Sequence, residues 1–373
     1  MKTSLAYRAG LLRGLLSGER APVGPYYVHV DVTHRCNLRC LCCRWHSPLI
    51  ESRRGEGVAQ DFPPELFAGL CDDLQQLGTR MVFFVGTGEP LLHPAIFDFI
   101  EQTKRRGLAL FMYTNGLALN EQTIRRLIEL RLDVLRVSLW TPTAEGFEQQ
   151  VGQGTAGQFQ QIVDGMRLLS RLKREAGARF PELELCVSIT QQGIKDLDAC
   201  VPLAERVGGD RLCFSPLVDF GEQQLRAFIP APDETRELRE TLAVTRRRLR
   251  ALSIDENIDT MQLHYRTGGQ LWRHTPCYPA WFFSYLRSDG KVFLCQRNGR
   301  ETRAVGDLFE ARFAEIWNAA PYRAVRRVAM ERGGPGHSGE YFCTFCSHGM
   351  NTQKVHRIFR YLRPAARALH RVR

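Results

Sequence analysis

The sequence predicts an α/β protein: a partial (β/α)6 barrel of the TIM type, followed by a small C-terminal domain with a β-hairpin and a helix. Two observations support this prediction. From Tyr26 onward, short apolar runs alternate with segments of helical periodicity, the pattern of a parallel sheet made of βα units. After residue 275 the alternation stops, and two apolar runs flank the turn Ser288-Asp289-Gly290, as expected for a hairpin.

The elements of the barrel follow from these periodicities. The predicted strands are 27–33, 81–86, 108–113, 133–139, 182–190 and 211–217. The predicted helices are 64–77, 94–106, 120–130, 157–176, 194–207 and 233–252. The expected divisions are a basic helical segment at 1–25, the barrel at 26–232, a helical linker at 233–274, the small domain at 275–350 and a basic helix at 351–373. In such a barrel, chemistry is expected at the C-terminal ends of the strands.

Composition excludes several classes of protein. The chain has 373 residues, 44% of them hydrophobic, and no apolar run approaches the length of a membrane span. Twelve Cys without a secretion signal favour a reducing compartment, the cytoplasm, and metal ligation rather than disulfides. Because most of the net charge of +11 lies in the two termini, the body is nearly neutral and a broad nucleic-acid groove is not expected. The basic tail is either a helix packed on the barrel or a docking element for an acidic partner.

The strongest local signal is the segment Cys36-Asn37-Leu38-Arg39-Cys40-Leu41-Cys42-Cys43, which follows the first predicted strand. Thiolates spaced x3 and then x2 can hold three corners of a cubane iron–sulfur cluster and leave one iron without a protein ligand. A zinc knuckle or a set of buried thiols is the alternative. We take Cys36, Cys40 and Cys43 as the ligands, with Cys43 preferred over Cys42 on spacing alone.

This C-x3-C-x2-C segment resembles the signature of the radical S-adenosylmethionine (radical SAM) superfamily. The resemblance implies a 4Fe–4S cluster whose open iron chelates SAM, and cleavage of SAM to a 5′-deoxyadenosyl radical that takes hydrogen from a substrate. Position 42, usually aromatic in that family, is Cys in this chain.

Three further segments resemble the family's SAM-binding positions. Gly86-Thr87-Gly88-Glu89 resembles the Gly-Gly-Glu motif that holds the SAM amino group, with Thr87 in place of the first Gly. By the same resemblance Gly88, Glu89, Thr114, Asn115 and Ser138 are expected to bind SAM, although Thr114 and Asn115 also fit an ordinary turn. Many relatives place an Arg after the fourth strand to meet the SAM carboxylate, but residues 146–159 contain no Arg or Lys. Arg136, Ser188 or Thr190 are the candidate substitutes.

A second group of cysteines lies in the C-terminal region. Cys277, Cys295, Cys343 and Cys346 follow the pattern C-x12-G-x4-C, a gap, then C-x2-C, which resembles the twitch domain, a short form of the SPASM domain. Four thiolates can close a second, auxiliary 4Fe–4S cluster, which is expected to pass electrons rather than bind substrate. Structural zinc is the alternative.

These resemblances predict a radical SAM enzyme. The auxiliary pattern resembles carbohydrate- and aminocyclitol-modifying members, so the expected substrate is a sugar, aminocyclitol or glycoside in natural-product biosynthesis, with modification of a ribosomal peptide as the alternative. The outcome is either dehydrogenation or epimerisation, and an electron donor such as flavodoxin or ferredoxin is implied. Cys186 and Cys213, on the fifth and sixth strands, are possible hydrogen donors, whereas Cys71 and Cys200 are expected in the core. Further polar candidates near strand ends are Gln191, Ser215, Asp219 and Arg297.

Overall fold

The computed structural model describes residues 4–50, 61–219, 222–231, 235–267, 275–295, 304–330 and 355. The predicted ligands Cys343 and Cys346, the candidate Arg297 and nearly all of the predicted C-terminal basic helix lie outside the described residues.

One sheet runs through the described chain. Its strands are Tyr27–Asp31 (β1), Met81–Val85 (β2), Ala109–Thr114 (β3), Val134–Leu139 (β4), Glu182–Ile189 (β5), Arg211–Pro216 (β6), Asp255–Glu256 (β7), Phe283–Leu286 (β8), Lys291–Phe293 (β9) and Gly306–Asp307 (β10). Their order in the sheet is β10-β9-β8-β1-β2-β3-β4-β5-β6-β7. Neighbours from β8 through β1 to β7 are parallel, and β9 and β10 are antiparallel. Because β10 and β7 end this sheet, the barrel is partial, as predicted.

Helices follow the strands in βα order. They are Leu5–Ser17 (α1), Pro64–Gln76 (α2), Ile96–Arg105 (α3), Glu121–Glu129 (α4), Ala144–Val151 (α5), Ala156–Glu175 (α6), Cys200–Val207 (α7), Thr235–Ala251 (α8), Ile258–Thr267 (α9), Phe313–Ile316 (α10) and Ala320–Ala329 (α11). Each predicted helix is found. The one predicted at 194–207 consists of a 3-10 turn, Ile194–Ala199, followed by α7. The predicted linker also contains β7 and α9. None of the described helices is long and apolar enough to cross a membrane.

Alternation along each strand decides which side chains enter the barrel. In β1, Val28 and Val30 are fully buried on the helix side, whereas Tyr27 and His29 line the interior cavity. In β4, Leu135 and Val137 pack outward and Arg136 lines the interior. Successive strand side chains point to opposite faces, so polar residues placed at every second position inside an apolar strand are delivered to the cavity.

The C-terminal hairpin extends the barrel sheet. Strand β8 pairs with β1 in parallel, with Tyr27 opposite Phe283, and β9 returns antiparallel to β8. This pairing satisfies backbone groups that β1 would otherwise leave at a sheet edge. At the N-terminal end of the barrel, α1 packs below β1, where the Tyr7 hydroxyl donates to the Gly24 carbonyl at 3.1 Å.

Candidate active site

The cysteine loop borders a large cavity in the barrel interior, which is lined by residues from both ends of the strands. Cys36, Cys40 and Cys43 all line this cavity, whose volume is about 960 Å³. Burial raises the pKa of Cys36 to about 11 and that of Cys40 to about 12. The Cys43 sulfur accepts the backbone N–H groups of Trp45 and His46, each at 3.3 Å. Cys36 and Cys40 therefore stay protonated until a metal displaces the protons.

Cys42 also lines the cavity, but its thiol has further contacts that the other three cysteines of the loop do not share. Its thiol lies 3.8 Å from the Gln150 side-chain oxygen, and it packs in a small apolar cluster with Ile50, Leu225 and Phe228. The neighbouring Leu41 N–H donates to the Gln150 carbonyl at 2.8 Å. Cys42 therefore helps to fix the loop to α5, a packing role similar to that of an apolar side chain.

The turn 86–89 is joined to the segment that precedes Cys36. The Gly88 N–H donates to the Thr33 carbonyl at 3.0 Å, and the Glu89 N–H donates to the Arg35 carbonyl at 2.7 Å. A Cβ added at Gly88 would come within 2.3 Å of the Arg35 oxygen, so this close approach requires glycine. On the other side of the turn, the His46 ring nitrogen Nε2 lies 2.8 Å from the Thr87 carbonyl oxygen.

Glu89 is the most constrained side chain of this turn. It is almost fully buried and accepts three hydrogen bonds: from the Asn115 N–H at 2.5 Å, the Thr114 hydroxyl at 2.8 Å and the Leu91 N–H at 3.1 Å. Burial nevertheless raises its pKa from 4.5 to about 7, because the hydrogen bonds do not fully offset desolvation. A buried carboxylate of this kind is suited to receive a cation.

Thr114 and Asn115 border the cavity at the end of β3, and both also support Glu89. The Asn115 side chain bonds Asn37 of the cysteine loop at 2.7 Å and accepts the Leu117 N–H at 3.0 Å. In addition to the predicted contact with SAM, these two residues orient the carboxylate and tie it to the loop. We call the three predicted ligand cysteines (Cys36, Cys40 and Cys43), the turn 86–89, Thr114 and Asn115 the motif wall of the cavity.

The opposite side of the cavity is formed by β4, β5 and β6. It is lined by side chains that alternate along these strands: Arg136, Ser138, Cys186, Ser188, Cys213 and Ser215. We call this set the thiol wall. Ser138 is opposite Cys186 in the register, and Cys186 is opposite Cys213, so the two thiols are cross-strand neighbours.

Arg136, a candidate for the SAM carboxylate, is already paired. Its guanidinium lies 2.6 Å from the Glu184 carboxylate, bonds the Tyr113 hydroxyl and stacks 4.7 Å from the Tyr113 ring. It sits two residues before Ser138 on β4, one layer deeper in the barrel. Glu184 and Tyr113 were not singled out in the sequence. The sequence signal that could have identified them is their position in β5 and β3. Glu184 alternates in step with Cys186 and Ser188, so its side chain is expected on the same face of the sheet.

Other candidates from the sequence have different partners. The Thr190 hydroxyl accepts the Gly193 N–H at 3.0 Å, the Gln191 side chain accepts the Ala231 N–H at 2.9 Å, and Asp219 pairs with Arg226 at 2.9 Å. These three do not line the described cavity, unlike Ser188 and Ser215. Cys71 and Cys200 are fully buried in the core, as predicted.

The described part of the second cysteine group lies on the hairpin. Cys277 precedes β8, Cys295 follows β9, and both are half-buried. Both lie near Tyr322 of α11, whose pKa is raised chiefly by burial and further by these two thiols. The hairpin therefore brings two of the four predicted ligands to one place.

Comparison with known families identifies both regions. Residues 30–178 match the radical SAM superfamily, and residues 277–347 match the iron–sulfur cluster-binding domain called SPASM. The chain therefore contains a radical SAM domain followed by a SPASM domain. Its cofactors are a SAM-binding 4Fe–4S cluster, SAM itself and an auxiliary iron–sulfur cluster, as predicted. The donor types suit the SAM-binding cluster and SAM, since three thiols and one buried carboxylate border the same cavity.

Related proteins match most of this radical SAM enzyme. The tungsten-containing aldehyde ferredoxin oxidoreductase cofactor-modifying protein of Pyrococcus furiosus is 25% identical, over 86% of this chain and 87% of its own length. The PqqA peptide cyclase of Gluconobacter oxydans is 23% identical, over 80% of this chain and 78% of its own.

Solved structures share the fold. Streptococcus suis SuiB bound to precursor peptide SuiA superposes with a TM-score of 0.65 at 14% identity, covering 87% of this chain and 76% of that one. Native anSMEcpe with bound AdoMet also gives 0.65 at 14% identity, covering 92% of this chain and 99% of that one. These likenesses confirm the predicted fold class.

Proposed function

We propose that this radical SAM enzyme takes hydrogen from a peptide, rather than from the sugar or aminocyclitol expected from the sequence. The observation that supports a peptide is the character of the cavity: its amide and charged side chains are already bonded within the protein, and much of the remaining lining is apolar or aromatic. When bound at a cluster held by Cys36, Cys40 and Cys43, SAM would supply a 5′-deoxyadenosyl radical once one electron is delivered. The residues of the chain bind and orient SAM and the substrate, and they exclude water from the cavity.

A sugar-binding site would need amide side chains that are free to form hydrogen bonds with the sugar hydroxyls. Asn257 lines the cavity, but its side chain both donates to and accepts from the backbone of Phe214, each at 2.8 Å. Asn115 is used by Asn37 and Leu117, as described above. A buried substrate hydroxyl without a partner costs free energy, so a cavity with these amides engaged disfavours a polyhydroxylated substrate.

Charged side chains of the cavity are engaged as well. Arg44 pairs with Glu222 at 3.2 Å, Arg136 pairs with Glu184, and the Glu89 carboxylate is held for SAM. Much of the remaining lining is apolar or aromatic: Tyr27, Phe83, Trp140, Phe214, Leu217, Val218, Met261 and Phe282. Such a surface suits an aliphatic or aromatic side chain of a peptide.

The related proteins support the same class. One relative is by name a peptide cyclase, and one structural neighbour is bound to a precursor peptide. A second candidate is an enzyme cofactor, favoured by the relative named as cofactor-modifying, which matches this chain over 86% of its length. An apolar cavity also accommodates a flat cofactor ring, so the two classes are separated by experiment.

The thiol wall supports return of hydrogen to the substrate. Burial raises the pKa of Cys186 to about 11 and that of Cys213 further, so both remain S–H groups at neutral pH. A thiol that gives its hydrogen atom to a carbon radical becomes a sulfur radical, which regains one electron from the external donor, flavodoxin or ferredoxin, and one proton from solvent. This outcome is epimerisation. Loss of an electron and a proton from the substrate radical instead gives dehydrogenation.

The test uses anaerobically reconstituted enzyme with SAM and reductant. A library of short peptides with aliphatic or aromatic residues is compared with an aminocyclitol and with haem, and formation of 5′-deoxyadenosine is measured. We expect a peptide to raise the rate above the substrate-free rate and to gain one deuterium from heavy water at unchanged hydrogen count. Stimulation by the aminocyclitol or haem alone would overturn the peptide proposal.

Single substitutions then test the thiols. Cys186→Ala or Cys213→Ala is expected to remove deuterium incorporation while 5′-deoxyadenosine is still formed. The matched control is Cys71→Ala, which removes a buried thiol hydrogen-bonded to Thr103 of α3, outside the cavity. Deuterium incorporation that survives in both cavity variants would exclude the thiols as donors.

A further inference from the structure

Thr87 is held on both its backbone and its side chain by one carboxylate. Its N–H donates to Asp31 Oδ1 at 3.1 Å, and its hydroxyl lies 3.2 Å from Oδ2 and 3.4 Å from Oδ1. The radical SAM family has glycine at this position, as noted above, and glycine has no hydroxyl to make the second contact. The substitution therefore adds an anchor to the turn that carries Glu89.

Asp31 is the last residue of β1 and is completely buried. Its Oδ2 also accepts the hydroxyl of Tyr285 at 3.1 Å, and His34 Nε2 lies 3.2 Å from the same oxygen, off the direction of a hydrogen bond. Two of its hydrogen bonds thus come from Thr87 and one from β8. A buried carboxylate depends on such donors, because each lost partner leaves part of the charge unsolvated.

Tyr285 belongs to the C-terminal hairpin. It lies in β8, between Cys277 and Cys295 in the chain, and is nearly fully buried. Burial and the nearby Asp31 hold its pKa well above 10, so its hydroxyl remains a donor. The contacts Tyr285–Asp31–Thr87 thus connect the strand between two predicted auxiliary-cluster ligands to the turn that ends in Glu89.

We propose that Tyr285 is a positioning residue for SAM: through Asp31 it fixes the turn 86–89 and couples the C-terminal hairpin to SAM affinity. With the hydroxyl of Tyr285 removed, Asp31 loses one of its donors and holds Thr87 less well. Glu89, two residues further on, is then less well placed. This proposal requires that the turn binds SAM but does not depend on the peptide substrate, because it is tested without substrate.

The test compares Tyr285→Phe, Thr87→Val and Thr87→Ser. The Kd for SAM is measured by equilibrium dialysis on reconstituted enzyme, and hydrogen exchange of the turn 86–89 is followed by mass spectrometry with and without SAM. We expect Tyr285→Phe and Thr87→Val each to weaken SAM binding roughly tenfold, since each removes a buried hydrogen bond to a charged acceptor. Both should speed exchange in the turn. Thr87→Ser keeps the hydroxyl and is expected to bind SAM within about twofold of the unmodified enzyme.

The matched control is Tyr265→Phe, which removes a buried tyrosine hydroxyl that has no hydrogen-bond partner among the described residues. It should change neither the Kd nor exchange of the turn. Because both substitutions act through Asp31, the double variant Tyr285→Phe/Thr87→Val is expected to be less than additive. Unchanged affinity and exchange in Tyr285→Phe, or full additivity, would overturn the proposal. If Tyr285→Phe fails to fold, the comparison of Thr87→Val with Thr87→Ser tests the proposal instead. Equal SAM affinities in these two variants would show that the Thr87 hydroxyl does not anchor the turn.

Discussion

On the motif wall, backbone groups of neighbouring loops hold Glu89 and the turn before it, whereas on the thiol wall the order comes from the register of β4, β5 and β6. Glu89 is fixed by two backbone N–H groups and one hydroxyl, and the turn is fixed by the carbonyls of Thr33 and Arg35. Cys186 and Cys213 are neighbours because their strands pair.

This difference separates two tasks. Backbone contacts hold the motif wall in one shape, which suits the recognition of SAM, a cofactor that does not vary. Side chains on paired strands can be exchanged without rebuilding a loop, which suits a surface that sets the substrate. The two walls are therefore expected to respond differently to substitution.

The largest effect is expected within the motif wall, where Cys42 and Cys43 are adjacent. Cys43→Ala should abolish formation of 5′-deoxyadenosine and lower bound iron from about eight to about four atoms per chain, since one cubane is lost. Cys42→Ala should keep about eight, because its thiol contacts Gln150 and an apolar cluster. Iron and sulfide analysis after anaerobic reconstitution checks both. Loss of iron in Cys42→Ala with retention in Cys43→Ala would reverse the ligand assignment.

The same contrast explains how far the sequence alone predicts this molecule. The six barrel strands were predictable because each is an apolar run long enough to be recognised locally. The segments of the motif wall were predictable because each is a short contiguous motif that follows one of these strands. The pairing of β8 with β1 was not, since it joins residues more than 250 positions apart through backbone bonds that no residue type specifies. The contact between Tyr285 and Asp31 depends on that pairing. Arg136 was considered as a ligand contact because its partner Glu184 lies on another strand and is recognised only once the register is known.

A smaller effect is expected from pH at the motif wall. Burial raises the pKa of Glu89 from 4.5 to about 7, so most of the free enzyme carries a protonated Glu89 at pH 6. The proposed pairing of Glu89 with the SAM ammonium group requires the carboxylate, so SAM affinity should fall by up to about tenfold per unit below pH 7 and level off above it. Glu89→Gln should bind SAM weakly and show no such dependence. Equilibrium dialysis between pH 5.5 and 8.5 measures both, and a flat profile for the unmodified enzyme would contradict the assignment of Glu89.

The smallest effect tests whether the two walls share SAM. With no basic residue at 146–159 and Arg136 held by Glu184, Ser188 on β5 is the remaining candidate for the SAM carboxylate, and it lines the cavity. Ser188→Ala should raise the Kd for SAM roughly threefold, the effect of one neutral hydrogen bond.

Thr190→Ala is the matched control on the same strand end, because its hydroxyl accepts the Gly193 N–H and does not face the cavity. It should lower the midpoint of thermal unfolding and leave the Kd unchanged. An unchanged Kd in Ser188→Ala would confine SAM recognition to the motif wall together with Ser138. Ser188 and Ser215, which are opposite each other in the register, would then both be available to contact the substrate.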